Sequence, residues 1–188
     1  MRTLAVCSGL LLLIGCAAQV DPGFIGAVRR GDVGAMQEFL KNGTDPNLRA
    51  GVNHWPAIMH AIHKGQREAV KALIAAHADV NISEEGMTPL MMAAGYGYDG
   101  IVHDLLKAGA DPRRKMPDGT TALELAVVGV PDIDRFTVGA CQTAAVRELL
   151  DAAPDLKFRP HGLDRTAYRL KRGGCRQVTS LLASRGAL

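Results

Sequence analysis

Thr88-Pro89-Leu90-Met91-Met92-Ala93 decides the fold. The block comes before as Pro56-Ala57-Ile58-Met59-His60-Ala61 and after as Thr121-Ala122-Leu123-Glu124-Leu125-Ala126, a return about every 33 residues. A fixed period of this size describes a stacked array, not a single closed core, and such arrays present extended binding surfaces. Other landmarks keep step. The small residues Ala27, Ala61, Ala93 and Ala126 are spaced by 34, 32 and 33, and the glycines Gly31, Gly65 and Gly97 by 34 and 32. The apolar pairs Phe39-Leu40, Leu73-Ile74, Leu105-Leu106 and Leu149-Leu150 are each followed five residues later by Asp45, Asp79, Asp111 or Asp155.

One unit explains the spacing. Ile58, Ala61 and Ile62 fall at i, i+3, i+4, and Val70, Leu73 and Ile74 repeat that spacing after Gly65, so each unit is expected to hold two short, half-apolar helices. A glycine between them takes positive φ without a Cβ clash and lets the chain reverse. Asn42-Gly43-Thr44-Asp45-Pro46-Asn47, Ala76-His77-Ala78-Asp79-Val80-Asn81 and Ala108-Gly109-Ala110-Asp111-Pro112 then read as turns leading into fingers, because Asp and Asn can bond their own backbone. Ser83-Glu84-Glu85-Gly86 and Met116-Pro117-Asp118-Gly119 read as finger tips. A lone helix pair would leave its apolar face wet, and stacking buries it.

These residues resemble the ankyrin repeat. Its pattern is a T-P-L-H-x-A opening, a turn Gly, a V-x-x-L-L second helix and a closing G-A-D. Thr88-Pro89-Leu90, Ala93, Gly97, Val102, Leu105-Leu106 and Gly109-Ala110-Asp111 carry all of it except the His. The resemblance covers residues 22–188 and implies an all-α solenoid of about five helix–turn–helix units with short β-turn fingers, near 22–53, 54–85, 86–118, 119–163 and 164–188. Met59, Met91 and Glu124 stand where the family has its His, so the bonds that His would give between adjacent fingers are expected to be absent and the array looser. Asp21-Pro22 at the start and a contracted first helix around Tyr168 and Leu170 at the end read as caps.

The fourth unit is out of step. Asp111 to Asp155 is 44 residues, and the surplus of about 11 lies between Val127 and Ala144, an insertion at about 130–141. Loop-closure entropy grows slowly with length, so the insertion costs little. It reads either as a tolerated surface excursion or as a place where function is added, with Ile133 and Phe136 packing back or meeting a partner.

The N-terminus carries a targeting expectation. A basic start followed by an apolar run from Leu4 to Ile14 describes an export signal and is too short to span a bilayer. Leu13-Ile14-Gly15-Cys16 resembles the bacterial lipobox. That resemblance implies a signal peptide over 1–15, a mature chain beginning at an acylated Cys16, a short tether over 16–21, and a bacterial envelope location, outer-membrane and periplasm-facing given Ala17 at the next position. A plain secretory signal with a chance Cys is the alternative. Cys7 leaves with the signal and Cys16 takes lipid, so Cys141 and Cys175 remain, at the inter-helix turns of neighbouring units. In an oxidising compartment that pair reads as a disulfide, with two free thiols as the alternative.

Without residues 1–15 the chain has 21 basic and 19 acidic side chains, too balanced for a nucleic-acid partner. Arg113-Arg114-Lys115 and Arg169-Lys171-Arg172 read as solvated faces. His60 and His63 are three apart on one helix, short of the three or four converging ligands a metal needs. No nucleophile elbow, phosphate-cradling glycine loop or His-Glu-x-x-His occurs, so no catalytic, cofactor or metal residues are expected, and the protein is not expected to be an enzyme. The expectation is a monomeric, lipid-anchored module binding a protein partner through its finger and first-helix face. Trp55, Met87, Lys115, Met116 and Phe136 are the candidate contacts, and Trp55 could equally pack beneath the first finger. A structural or stress-protective envelope lipoprotein without one tight partner is the alternative, and an inhibitor or immunity protein for an envelope-acting toxin or hydrolase a third version.

Overall fold

The structure, a computed structural model, describes residues 22–51, 53–129, 141–159 and 175–188. Residues 1–15 expected as a signal, Cys16, most of the insertion with Phe136, and the stretch around Tyr168 and Leu170 expected to hold the last unit's first helix lie outside the described residues.

Helices α1 (Pro22–Arg30) and α2 (Val33–Lys41) form the first pair, α3 (Ala57–His63) and α4 (Arg67–Ala75) the second, α5 (Pro89–Tyr96) and α6 (Asp99–Lys107) the third, and α7 (Ala122–Val128) and α8 (Thr143–Ala152) the fourth. Helix α9 (Arg176–Ser184) packs on α8. First helices α1, α3, α5 and α7 pack in one row, and second helices α2, α4, α6, α8 and α9 in another. Strands β1 (Arg49–Ala50) and β2 (Trp55–Pro56) pair antiparallel, Arg49 with Pro56 and Ala50 with Trp55, as the first finger.

The landmarks earn their places physically. Ala27, Ala61, Ala93 and Ala126 are all fully buried, where a larger side chain would force the first helices apart. Their carbonyls each accept a bond from the residue that starts the second helix: Asp32 N at 3.0 Å, Gln66 N at 2.9 Å, Tyr98 N at 3.0 Å and Gln142 N at 3.0 Å. The fourth of these bonds closes the insertion, so the chain leaves α7 and re-enters α8 in the same register as the shorter turns. Gly31, Gly65 and Gly97 have φ of 71°, 68° and 73°, which only glycine takes cheaply. A Cβ on Gly97 would collide with the Gln142 side chain of the next unit.

Helices α2, α5 and α7 start on side-chain caps. Asp32 accepts from Ala35 N at 3.1 Å, and Thr88 from Met91 N at 3.3 Å with Pro89 in the first turn. Helix α5, in the middle of the row, is buried on every side, as an apolar helix flanked by neighbours should be. One apolar core runs from Phe24 to Ala187. No described helix is long and apolar enough to cross a membrane.

Candidate partner-binding surface

The fingers begin with one repeated device. Asp45 Oδ1 accepts from Asn47 N at 2.8 Å, Asp79 Oδ1 from Asn81 N at 2.8 Å and Asp111 Oδ1 from Arg113 N at 2.9 Å, the local turns expected of these residues. The residue two past each Asp then reaches the next unit. Asn47 Oδ1 accepts from Asp79 N at 2.7 Å, and Asn81 Oδ1 from Asp111 N at 2.8 Å. At the third step Arg113 replaces Asn, and its guanidinium forks onto the Asp155 carboxylate at 3.0 and 2.5 Å. That pair holds the Asp155 carboxyl below the usual carboxylate range.

Further bonds join the fingers, and at Glu124 they correct the expectation that the bond given by the family His would be absent. Glu124 is 3% exposed. Its Oε2 accepts from Thr121 N at 2.9 Å and from the Thr121 hydroxyl, completing a capping box, while Oε1 accepts from Arg159 N in the following finger at 2.9 Å. In the second unit His60, one residue past Met59, donates from Nε2 to Ala50 O at 2.9 Å, which ties the first finger to the helix it leads into. Burial holds the His60 imidazole below its usual pKa, with Arg29 adding to the effect and the Ala50 bond opposing it. Arg49 bridges to the Glu84 carboxylate and to Ser83 O at 3.2 Å.

Trp55 is half-buried and packs its ring on His63 at 5.3 Å and His60 at 5.8 Å. His63 meets Tyr96 at 5.9 Å, their side chains hydrogen-bonded at 3.0 Å, and Tyr96 meets Tyr98 at 5.7 Å. Trp55 is thus one end of an aromatic row across two units, and the two histidines are ring partners in it. Among the described residues no group of three or more His, Cys, Asp or Glu is placed to hold a metal.

Met87 closes the second finger, exchanging bonds with Glu84 at 2.8 and 3.0 Å. The finger tips touch, because a Cβ on Gly86 (φ 85°) would lie 2.6 Å from Pro117 and 3.3 Å from the Met116 Cα. Met87 and Met116 therefore sit on adjoining fingers, both half-buried against the core. Lys115 is exposed and lines a groove of about 310 Å³ between the third and fourth fingers. Phe136 is outside the described residues. Cys141, two residues before α8, and Cys175, directly before α9, have their Cα atoms 5.7 Å apart with the sulfurs in contact, within the span a disulfide closes.

Residues 24–116, about half of the chain, match the model for ankyrin repeats in three copies. The chain is 34% identical over 110 residues to palmitoyltransferase AKR1 of Lachancea kluyveri, covering 54% of this chain and 14% of that protein. It is 34% identical over 109 residues to a putative ankyrin repeat-containing protein of Treponema pallidum, covering 57% and 36%. It is 35% identical over 101 residues to ankyrin repeat and SOCS box protein 3 of Homo sapiens, covering 52% and 19%. The chain thus spans a seventh to about a third of these curated relatives, and what it shares with them is the repeat region, in general a non-catalytic interaction scaffold.

Proposed function

We propose, from the premise that this chain folds as an ankyrin-repeat solenoid with residues 24–116 as three matched repeats, that it is a protein-interaction module held at a bacterial membrane surface. The repeat fold itself implies a protein partner. The observation that carries the reading is the finger edge: Trp55, Met87, Met116 and Lys115 come from three consecutive fingers and are all at least partly accessible. Rigid aromatic and methionine side chains set beside a charged groove supply both the anchor and the polar rim of an interface.

The envelope location rests on Leu13-Ile14-Gly15-Cys16, whose Cys16 would carry the lipid. Acyl chains contribute ~0.8 kcal/mol per buried CH₂, so several of them hold a protein stably at a bilayer. An oxidising compartment is also the place where Cys141 and Cys175 would close their bond.

The test is photo-crosslinking from position 87 or 116 in intact cells, followed by recovery of the tagged chain from envelopes. One stoichiometric protein is expected, and a diffuse set would replace the module by a structural lipoprotein without one tight partner. Cys16→Ser should release the chain from membranes and abolish labelling by a clickable fatty acid. Unchanged fractionation would end the lipid anchor.

A further inference from the structure

Numbered from the Asp that starts each finger, the second and fourth following positions are Asn47 and Arg49, then Asn81 and Ser83, then Arg113 and Lys115, then Lys157 and Arg159. Only the third and fourth fingers are basic at both. Arg113, Lys115, Lys157 and Arg159 all line the groove of about 310 Å³. Like charges gathered in one place repel, and a cleft with an excess of positive charge concentrates anions.

Two carboxylates share that groove, and both are engaged. Glu124 is bonded to Thr121 and to Arg159 N, and Asp155 is forked by Arg113. Lys157 Nζ turns to Gly186 O. Among the described residues the charged ends of Lys115 and Arg159 make no hydrogen bond or ion pair, so four cations against two occupied carboxylates leave an unmatched positive charge facing solvent.

We propose that this groove binds a short, extended acidic peptide of the partner, with carboxylates at alternate positions. The proposal rests on the interaction-module reading and names the chemistry of its partner. Three observations set the ligand's form. The Asp155–Arg113 fork shows that the groove already takes a carboxylate. In the fourth finger Lys157 and Arg159 are exposed while Leu156 and Phe158 between and before them are buried, an extended alternation that sets cations about 7 Å apart and matches every second residue of an extended peptide. The neighbouring second finger is acidic, with Asp79, Glu84 and Glu85, so a polyanion running beyond the groove would be repelled while a short acidic stretch would not.

The test uses the full chain and a fluorescein-labelled eight-residue peptide with glutamate at alternate positions, compared with its glutamine counterpart. The glutamate peptide is expected to bind roughly tenfold tighter or more, with affinity falling as salt rises. Lys115→Gln with Arg159→Gln should remove that preference while leaving the Glu124 bond to the Arg159 backbone, and Lys115→Gln alone, at a side chain without bonds, should weaken it in part. Arg114→Gln, outside the groove, should leave it unchanged. Equal binding of the two peptides, or full binding by the double variant, would overturn the proposal, and so would inorganic phosphate or tripolyphosphate competing at the peptide's own concentration. A stoichiometric crosslinked partner with no glutamate preference would sink the groove and leave the module standing. Glutamate binding with no such partner would do the reverse.

Discussion

Glu124 stands where the two preceding units carry Met59 and Met91, and the exchange of a thioether for a carboxylate changes what holds the fingers. A buried carboxylate is costly unless its lone pairs are filled, and here three donors fill them: Thr121 N, the Thr121 hydroxyl and Arg159 N. Glu124→Met would fit the volume yet leave the Arg159 amide and the start of α7 without acceptors. A loss of about 1–3 kcal/mol is expected by chemical denaturation, against little change for Met91→Leu at the equivalent position. His60 works in the opposite charge sense, since its bond to Ala50 O needs only a neutral ring and burial disfavours the cation. Its folded pKa lies below the unfolded one, so the unfolded chain binds the proton first. Stability from this site is complete above about pH 6.5 and declines as the pH falls below that toward the folded value. His60→Gln, which keeps a donor near the same place and cannot titrate, should flatten the fall in melting temperature between about pH 6.5 and 5 relative to the parent. An equal slope in both would place the titration elsewhere.

The helix pair is the element in which small residues matter most. Ala93 is fully buried between α5 and its neighbours, so Ala93→Leu should cost about 1–3 kcal/mol through overpacking, read as a lower denaturation midpoint with unchanged helix content at room temperature. If the variant were as stable as the parent, the first helices would have slack that their burial denies. These positions were legible in the sequence because each is a local demand: positive φ asks for Gly31, Gly65 and Gly97, close approach asks for Ala, and a self-bonded turn asks for Asp45, Asp79 and Asp111. What lay beyond reading were contacts across units. The substitution at Glu124 looked like a lost link because its partner is a backbone amide 35 residues on, and a backbone group has no letter of its own. Arg113-Arg114-Lys115 looked like a solvated run for the same reason. Lys157 and Arg159 become its neighbours only after the insertion is closed in register by the Gln142 bond to Ala126 O. Trp55, Met87, Lys115 and Met116 were legible as finger residues, whereas the row from Trp55 to Tyr98 was not, since it joins one finger, two helices and the turn between a helix pair.

At the scale of the whole molecule, a solenoid is as strong as its nearest-neighbour interfaces, and its ends fray first. The middle interfaces are rich: α5 is buried throughout, and α4 to α6 are joined by the Arg67–Asp104 fork at 2.7 and 3.0 Å, which holds the Asp104 carboxyl below its ordinary range. The described part of the last unit has less. Helix α9 contributes Val178 and Leu182 to the core, and beyond it Arg185 pairs with Asp151 at 2.6 Å while Phe158 N bonds Ala187 O at 2.7 Å. A disulfide between Cys141 and Cys175 would tie this weak end to the fourth unit at the point where the insertion re-enters the stack. Closing 34 residues would stabilise by about 4 kcal/mol in the chain-entropy account. Because the restraint acts on the end of a one-dimensional array, its removal should be felt locally before it is felt globally. Reduction, or Cys175→Ser, should speed amide exchange in α9 and in residues 141–159 well before α5 changes, and should lower the melting temperature. That end also carries Lys157 and Arg159, so the same reduction should weaken glutamate-peptide binding at the groove. Two free thiols on the denatured, unreduced chain, or exchange in α9 indifferent to reductant, would remove the bond from this account.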